Sequence, residues 1–461
     1  MANVISEVDA LNALDVLNRA RSEGVELIRF IYCDFTGVQR GKVTTIDDLA
    51  NRLNHGINLT KAQMAFTLVN TIVDIEGMQP VGELRMLPDP ETFTILPWMP
   101  EHASMCCNLV ERNGQPYDAC PRTWLQTIIA RAAKHGIRVQ AAFEDEFYLC
   151  LKNPQTGKWE PADDSGIYHE TGFDYQGDFH TEMTRTLRAM GMFPEMVYHE
   201  GGPGQQEISI HHAPALKAAD NQIKLRNAVR AVAHKRGFRA SFAPKPFPWT
   251  FGSGAHVHLS IWDEATNKNL MYDARAEESF SQMGRYFVGG LLRHMPALVA
   301  LTASSYNSYR RLQPRAWATS DVVWGYDNRQ AAVRAASPFW GREMATSNIE
   351  IKAVDSSSNP YLALGGIIAA GLDGIEGEID PGEAVQVDPA NLSEEERKRL
   401  GVRRVPTSLR GAVAEFAADP LFKQLMPELM WRAHQAVKLA ECDAFEANDE
   451  EFEFKAHFDV F

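Results

Sequence analysis

The chain has few cysteines, no long apolar run and no surplus of basic residues, and each shortage removes a class of protein. Six cysteines in 461 residues (Cys33, Cys106, Cys107, Cys120, Cys150 and Cys442) are too few and too scattered for a disulfide framework, and none forms a Cys-x-x-Cys pair. They read as buried or incidental thiols. No stretch approaches the roughly 18 uncharged apolar residues of a membrane span. Lys and Arg number 46 against 60 Asp and Glu, a net charge of −14, so a phosphate backbone would be repelled. Neither nucleic acid nor a membrane is an expected partner. Met1 to Asp9 carry acids and lack the basic-then-apolar pattern of an export signal, which makes a cytoplasmic location the expectation. There is no Gly-x-x-x-x-Gly-Lys-Ser/Thr and no Gly-x-Gly-x-x-Gly, so neither a P-loop nor a Rossmann nucleotide site is supported.

What is present is ordinary globular material, 45% hydrophobic and 23% charged, over a length about three times the domain prior of roughly 150 residues. Val25 to Tyr32 is a β-rich apolar run, followed by the turn Asp34-Phe35-Thr36-Gly37 and a second strand around Gly41 to Thr45, which predicts a hairpin. A helical stretch, Ile46 to Leu53, comes next. Pro88, Pro90, Pro97 and Pro100 forbid a continuous helix after it, so a small β-rich domain over residues 1–100 is expected. From Pro121 the style changes. Thr123 to His135 has helical spacing and stops at Gly136 before a strand from Ile137 to Phe143; a helix from Gln222 to Gly237 precedes a strand at Ala240 to Phe242. Strands and helices then mix without a βαβ rhythm, so residues 101–461 read as an α+β catalytic domain. Asp380 to Leu400 reads as an acidic surface insertion with one short helix, capped by Ser393 and Glu396.

The informative motifs alternate. In Phe143-Glu144-Asp145-Glu146-Phe147, Glu144 and Glu146 share one face of a strand. Side by side they repel unless a cation intervenes. His256, His258 and Ser260 share a face with Val257 and Leu259 opposite; Asn348, Glu350 and Lys352 do so with two isoleucines opposite; Glu207, Ser209 and His211 repeat the pattern. Four such strands, two beside glycine-rich turns (201–204 and 252–254), point to one polar cavity. Its natural occupant is a hard divalent cation, since no Cys lies nearby to favour structural zinc. Arg311, Arg329 and Arg334 add a cationic group suited to phosphate and carboxylate.

At these residues the sequence resembles the glutamine synthetase family over nearly the whole chain. The matching motifs run in family order: Asp34 to Gly37 with Gly41-Lys42; Leu87-Pro88-Asp89-Pro90; Glu144 to Phe147; Glu200 to Glu207; Ala243 to Pro246; Gly252 to His258; Asn307 to Leu312; Asn328-Arg329; and Ile349-Glu350 with Asn359 to Leu362. The resemblance implies an N-terminal β-grasp domain and a catalytic domain with a curved antiparallel sheet flanked by helices. It also implies a ring-shaped homo-oligomer, expected to be a dodecamer, with active sites between subunits. It implies ATP as co-substrate and two or three Mg²⁺ or Mn²⁺ ions per site. By position, Glu146, Glu200 and Glu207 would hold one metal, and Glu144, His256 and Glu350 the second. His258, Ser260, Arg329 and Arg334 would contact ATP. Gly252 and Arg311 would hold glutamate together with Glu146, His256 and Lys352, and Arg311, Arg329 and Glu350 would act in catalysis. The implied chemistry is phosphorylation of the glutamate γ-carboxylate and attack by an amine on the γ-glutamyl phosphate.

The sequence also departs from the family. Trp317 occupies the position of the glutamate that binds ammonium and accepts its proton in glutamine synthetases, and an indole does neither. No acid occurs between Leu49 and Val73, where the family's second ammonium-binding acid lies. Trp317, with Met64 and Phe66 as expected neighbours, would favour an amine with a hydrophobic body, gaining about 25 cal/mol per Å² buried. Lys352 and Asn348 stand where the family has arginines, and no Tyr follows Tyr361 to serve as an adenylylation site. The expectation is an ATP-dependent glutamate–amine ligase of amine catabolism, with an aromatic or alkyl amine as substrate. The alternatives are an ammonium-using glutamine synthetase and a non-catalytic protein on the same fold.

Overall fold

The computed structural model describes residues 7–316 and 320–461. The expected hairpin forms: β1 (Leu27–Cys33) and β2 (Gln39–Thr45) pair antiparallel, with the Asp34 carboxylate capping the turn by accepting from the Thr36 and Val38 amides at 2.9 and 3.1 Å. β3 (Ile57–Thr60), β4 (Glu83–Pro88), β5 (Thr94–Leu96) and β6 (Met99–Glu111) complete a mixed sheet in the order β2-β1-β6-β4-β3, with β5 on β6. β1 and β6 run parallel.

The expected domain boundary at residue 100 falls inside β6, whose ladders to β1, β4 and β5 all belong to this first sheet. Pro100 is tolerated there because the β1 ladder begins only at His102. Strand pairing therefore favours a division between Glu111 and helix Pro121–Lys134. That helix starts with Pro121 in its first turn and is followed by Gly136 at φ +68°, as its stop signal required.

The second sheet is built on one long strand, β7 (Ile137–Lys152), which continues well past the expected end at Phe143. Around it lie β8 (Trp159–Pro161), β9 (Pro194–His199), β10 (Gln205–Ile210), β11 (Ala213–Pro214), β12 (Arg239–Ser241) and β13 (Ala255–Asp263). β14 (Asp321–Val322) pairs elsewhere, and β15 (Trp324–Tyr326), β16 (Val333–Ala336) and β17 (Asn348–Ile351) finish the sheet. Its order is β15-β16-β17-β13-β7-β10-β9, with β8, β11 and β12 also on β7. One face carries Phe143, Val257, Leu259, Ile349 and Ile351, all buried in a core shared with helices Gln282–Thr302 and Pro360–Glu376. The other face is polar. The α+β architecture read from the sequence is the one observed.

Several contacts join the two sheets, two of them as follows. Arg122, 2% exposed, bridges Asp89 at 2.7 Å and Asp220 at 2.9 Å. Gly37 sits at φ +84° against the loop beside β17, where a β-carbon would lie 2.0 Å from the Ser357 carbonyl oxygen, so only glycine fits. The acidic segment after Asp380 carries the expected capping box at Ser393 and Glu396. It is more than a surface insertion, because Val385 packs with Val323 and Ala331 and its carbonyl accepts from Asn328 Nδ2 at 2.6 Å.

His434 and His457 are both buried; His434 Nε2 lies 3.0 Å from the Ala300 carbonyl oxygen and His457 Nδ1 lies 2.8 Å from that of Glu453. Burial pushes them down to about 3 and about 4. The unfolded chain takes up these protons near pH 6.5 and the folded chain does not, so stability is full above that pH and falls as pH drops toward 4. By pH 5 the loss is about 2 kcal/mol per histidine. Urea unfolding of His434→Gln, which keeps a donor for Ala300, should show a smaller drop between pH 7 and pH 5 than the parent; equal drops would refute the assignment.

Candidate active site

The polar face of the second sheet is assembled by register. Glu144 stands opposite His256 on β13 and Ser209 on β10, and Glu146 opposite Glu207 on β10. Farther along, His258 stands opposite Glu350 on β17, which in turn faces Arg334 on β16. With Asp145 and Phe147 turned to the other side, these residues line a cavity of about 810 Å³, joined by Glu200, Gly252, Arg311 and Lys352.

Charge divides the cavity. On one side Glu350, 1% exposed, receives Arg334 Nε at 2.5 Å, Lys352 Nζ at 3.0 Å and His256 Nδ1 at 3.1 Å. Burial opposes its ionisation, yet the charges of Lys352, His256 and His258 hold its carboxyl well below the usual range. His258 Nε2 lies 3.3 Å from Glu144 Oε2 and its Nδ1 lies 2.8 Å from Asn348 Oδ1. Burial would lower His258, but the Glu144 carboxylate raises it to about 9, and the same pairing lowers Glu144 against its own burial. Glu144, His256 and Glu350 offer ligand atoms all within 4.8 Å of one another.

On the other side Glu200 and Glu207 form no ion pair among the described residues. Burial and then the Glu146 charge raise Glu200 to about 7; burial and then Glu144 and Glu146 push Glu207 well above its ordinary value. Phenols answer them: Tyr168 donates to Glu200 Oε1 at 3.0 Å and Tyr198 to Glu207 Oε1 at 2.6 Å. Mutually repelling carboxylate oxygens beside one imidazole are the donor chemistry of a hard divalent cation, so the residues present fit such an ion.

The remaining expected residues are placed as follows. Arg311 is buried and donates from Nη2 to the carbonyls of Lys352 and Val354 at 3.2 and 2.7 Å. Gly252 lies against it, where a β-carbon would meet Arg311 Cγ at 2.6 Å. Ser260 Oγ lines the cavity and accepts from Trp262 Nε1 at 2.8 Å; Arg329 is exposed at the rim. Lys352 turns inward onto Glu350. Met64 is a correction: it is fully buried in the core that includes the first sheet, with no surface to offer an amine. Phe66 lies under the Arg40 guanidinium at 4.8 Å and lines no part of the cavity within this chain. Trp317 lies outside the described residues.

Sequence reasoning missed Gln205, whose side-chain amide donates to the Gly252 carbonyl at 2.9 Å and to Glu146 Oε2 at 3.3 Å and accepts from the Gly202 amide at 2.8 Å. Its spacing of two from Glu207 was the available signal. It also missed the cavity wall of Ile167, Tyr168 and Phe251, which no periodicity marks because it comes from loops.

A cavity on one largely antiparallel sheet, with clustered carboxylates, two histidines and facing arginines, defines a class, and the chain belongs to it: the glutamine synthetase family. The family's catalytic domain matches residues 118–457 and its N-terminal domain residues 11–117. Glutamine synthetase of Halobacterium salinarum is 34% identical over the full length of both chains. A gamma-glutamylpolyamine synthetase of Streptomyces coelicolor is also 34% identical, over 96% of this chain and 95% of that one. Among solved structures, a GmaS complex with ADP superposes with a TM-score of 0.83 at 28% identity, covering 96% of this chain and 99% of that one. A glutamine synthase homolog gives 0.84 at 27% identity, over 95% of this chain and 99% of its own. The family typically uses ATP and divalent metals.

Mg²⁺ or Mn²⁺ at about a hundredfold over its dissociation constant should stabilise the protein by about 2.7 kcal/mol. Thermal unfolding with the ion and with EDTA checks this. Glu144→Gln, which removes one anionic ligand, should shrink the shift, and an unchanged shift would exclude the cluster.

Proposed function

We propose that the protein joins the γ-carboxyl of L-glutamate to an organic amine with a hydrophobic, aromatic or alkyl body, using ATP and a γ-glutamyl phosphate intermediate, in amine catabolism. The observation that carries this reading is a mismatch. The six expected metal ligands and Arg311, Arg329 and Arg334 are all present, with Lys352 and Asn348 at two expected arginine positions, while Trp317 stands at the expected flap acid and no acid lies between Leu49 and Val73. The Streptomyces coelicolor relative named for polyamine glutamylation and the GmaS structures support the same branch.

In this reading Glu146, Glu200 and Glu207 hold one Mg²⁺ or Mn²⁺, and Glu144, His256 and Glu350 a second. Bound there, the ions supply charge neutralisation to the phosphates. Arg329 and Arg334 face the phosphate chain with His258 and Ser260 beside it. Arg311, immobilised by two carbonyls, presents a guanidinium edge to glutamate near Gly252, and Lys352 keeps Glu350 ionised. A γ-carboxylate oxygen attacks the terminal phosphorus as the bond to ADP breaks; the neutral amine nitrogen then attacks the acyl carbon, the bond to phosphate breaks, and the proton lost by the nitrogen leaves on the phosphate. Ile167 and Phe251, both exposed in the free chain, give the amine's body apolar surface. The protein would act in the cytoplasm as a ring-shaped homo-oligomer whose neighbouring subunit closes the site.

The archaeal relatives favour a second reading, glutamine synthetase using ammonium. ADP release with glutamate, Mg²⁺ and a panel of anilines, alkylamines, polyamines and ethanolamine separates the two. Release with at least one organic amine at a higher kcat/KM than with ammonium is expected; release with ammonium alone would sink the proposal. Trp317→Glu should raise ammonium-dependent turnover about tenfold or more if that residue stands where the proton acceptor belongs.

A further inference from the structure

Behind Glu200 lies a buried group of an acid, a hydroxyl and an imidazole that the proposed chemistry does not use. Asp163, its side chain 4% exposed, accepts from the Ser165 amide at 3.1 Å, Gln176 Nε2 at 3.0 Å and the Gly204 amide at 3.0 Å, and from the Ser165 hydroxyl. Ser165 Oγ lies 2.7 Å from His199 Nε2, and His199 is fully buried. Because the hydroxyl proton goes to Asp163, Ser165 accepts from His199 Nε2–H. The direction of donation is opposite to that of a nucleophilic serine, whose proton goes to the imidazole, so this is not a hydrolytic triad. These bonds hold the Asp163 carboxyl below its ordinary range against the effect of burial.

The group ties together two segments that meet in the cavity. His199 precedes Glu200, and Gly204 closes the turn that follows it, so Asp163 fixes both ends of the turn carrying Glu200. Ser165 leads within three residues to Tyr168, whose backbone is held at φ +53° and whose hydroxyl donates to Glu200. Such a backbone costs energy in a tyrosine and persists only where its surroundings over-determine it. Helix Glu170–Ala189 locks the arrangement from behind: a β-carbon on Gly172 would meet the His199 ring at 2.7 Å.

The geometry points to Asp163 as a positioning residue for the carboxylate end of the cavity, acting through His199 on Glu200 and through Ser165 on Tyr168. The inference rests on the proposed ligase reading only for the choice of substrate. Asp163→Asn keeps the shape and replaces one acceptor oxygen with a donor. It should raise KM for the preferred nitrogen substrate, ammonium included, about tenfold and leave KM for ATP within about twofold, since the arginines lie at the other end. In nucleotide-free protein it should weaken the tightest Mn²⁺ site, read by electron paramagnetic resonance, by a similar factor. Ser165→Ala, which cuts the relay and leaves the charge, should shift both readouts in the same direction, and it decides the matter if Asp163→Asn melts early. Unchanged values in both variants, or nitrogen-substrate and ATP KM rising together, would overturn the inference. If the parent protein turns over no nitrogen substrate, the ligase reading fails, and the Mn²⁺ titration alone judges Asp163.

Discussion

The structure depends on the repulsion between carboxylates that strand register forces onto one face of the second sheet. Glu144 and Glu146 are fixed there by the period of β7, and β10 and β17 bring Glu207 and Glu350 to the same face. Desolvated like charges are costly unless each finds a partner. The chain answers with two solutions. Glu350 and Glu144 are matched by Arg334, Lys352, His256 and His258; Glu200 and Glu207, which accept from phenolic hydroxyls and form no ion pair among the described residues, are pushed toward protonation. The second group is the one that calls for an external cation.

This division gives the cavity its polarity. Arg334 and Arg329 lie at one end, and Glu200 with Tyr168 marks the other. Arg311 spans the middle, tied by its guanidinium to the backbone just after β17 and leaning on Gly252. Lys352, a point charge without a guanidinium fork, pairs with the adjacent Glu350 at 3.0 Å.

Much of this was legible in the sequence, because a strand's period of two says which residues share a face, and the alternating runs at Glu144, Glu207, His256 and Glu350 are unambiguous. The ordered motifs extended that to the whole chain. What was not legible arises from other geometry. Met64 was placed by position in a segment that turns out to be a short 3-10 helix, Lys61–Ala65, whose turn carries it into the core. Pro100, read from the sequence as a break, lies inside β6 at a position outside its paired residues with β1 and β5. Tyr168, Asp163 and His199 meet through loop placement and the clearance left by Gly172, which no local pattern encodes.

The central claim is that the machinery for activating glutamate is intact while the nitrogen site has been rebuilt for an organic amine. Glutamate labelled with ¹⁸O in its γ-carboxyl tests both halves at once. With ATP, Mg²⁺ and an accepted organic amine, one labelled oxygen should appear in inorganic phosphate for each γ-glutamyl amide formed, at a rate exceeding that with ammonium. Amide formation without label in the phosphate, or transfer supported by ammonium alone, would contradict the account.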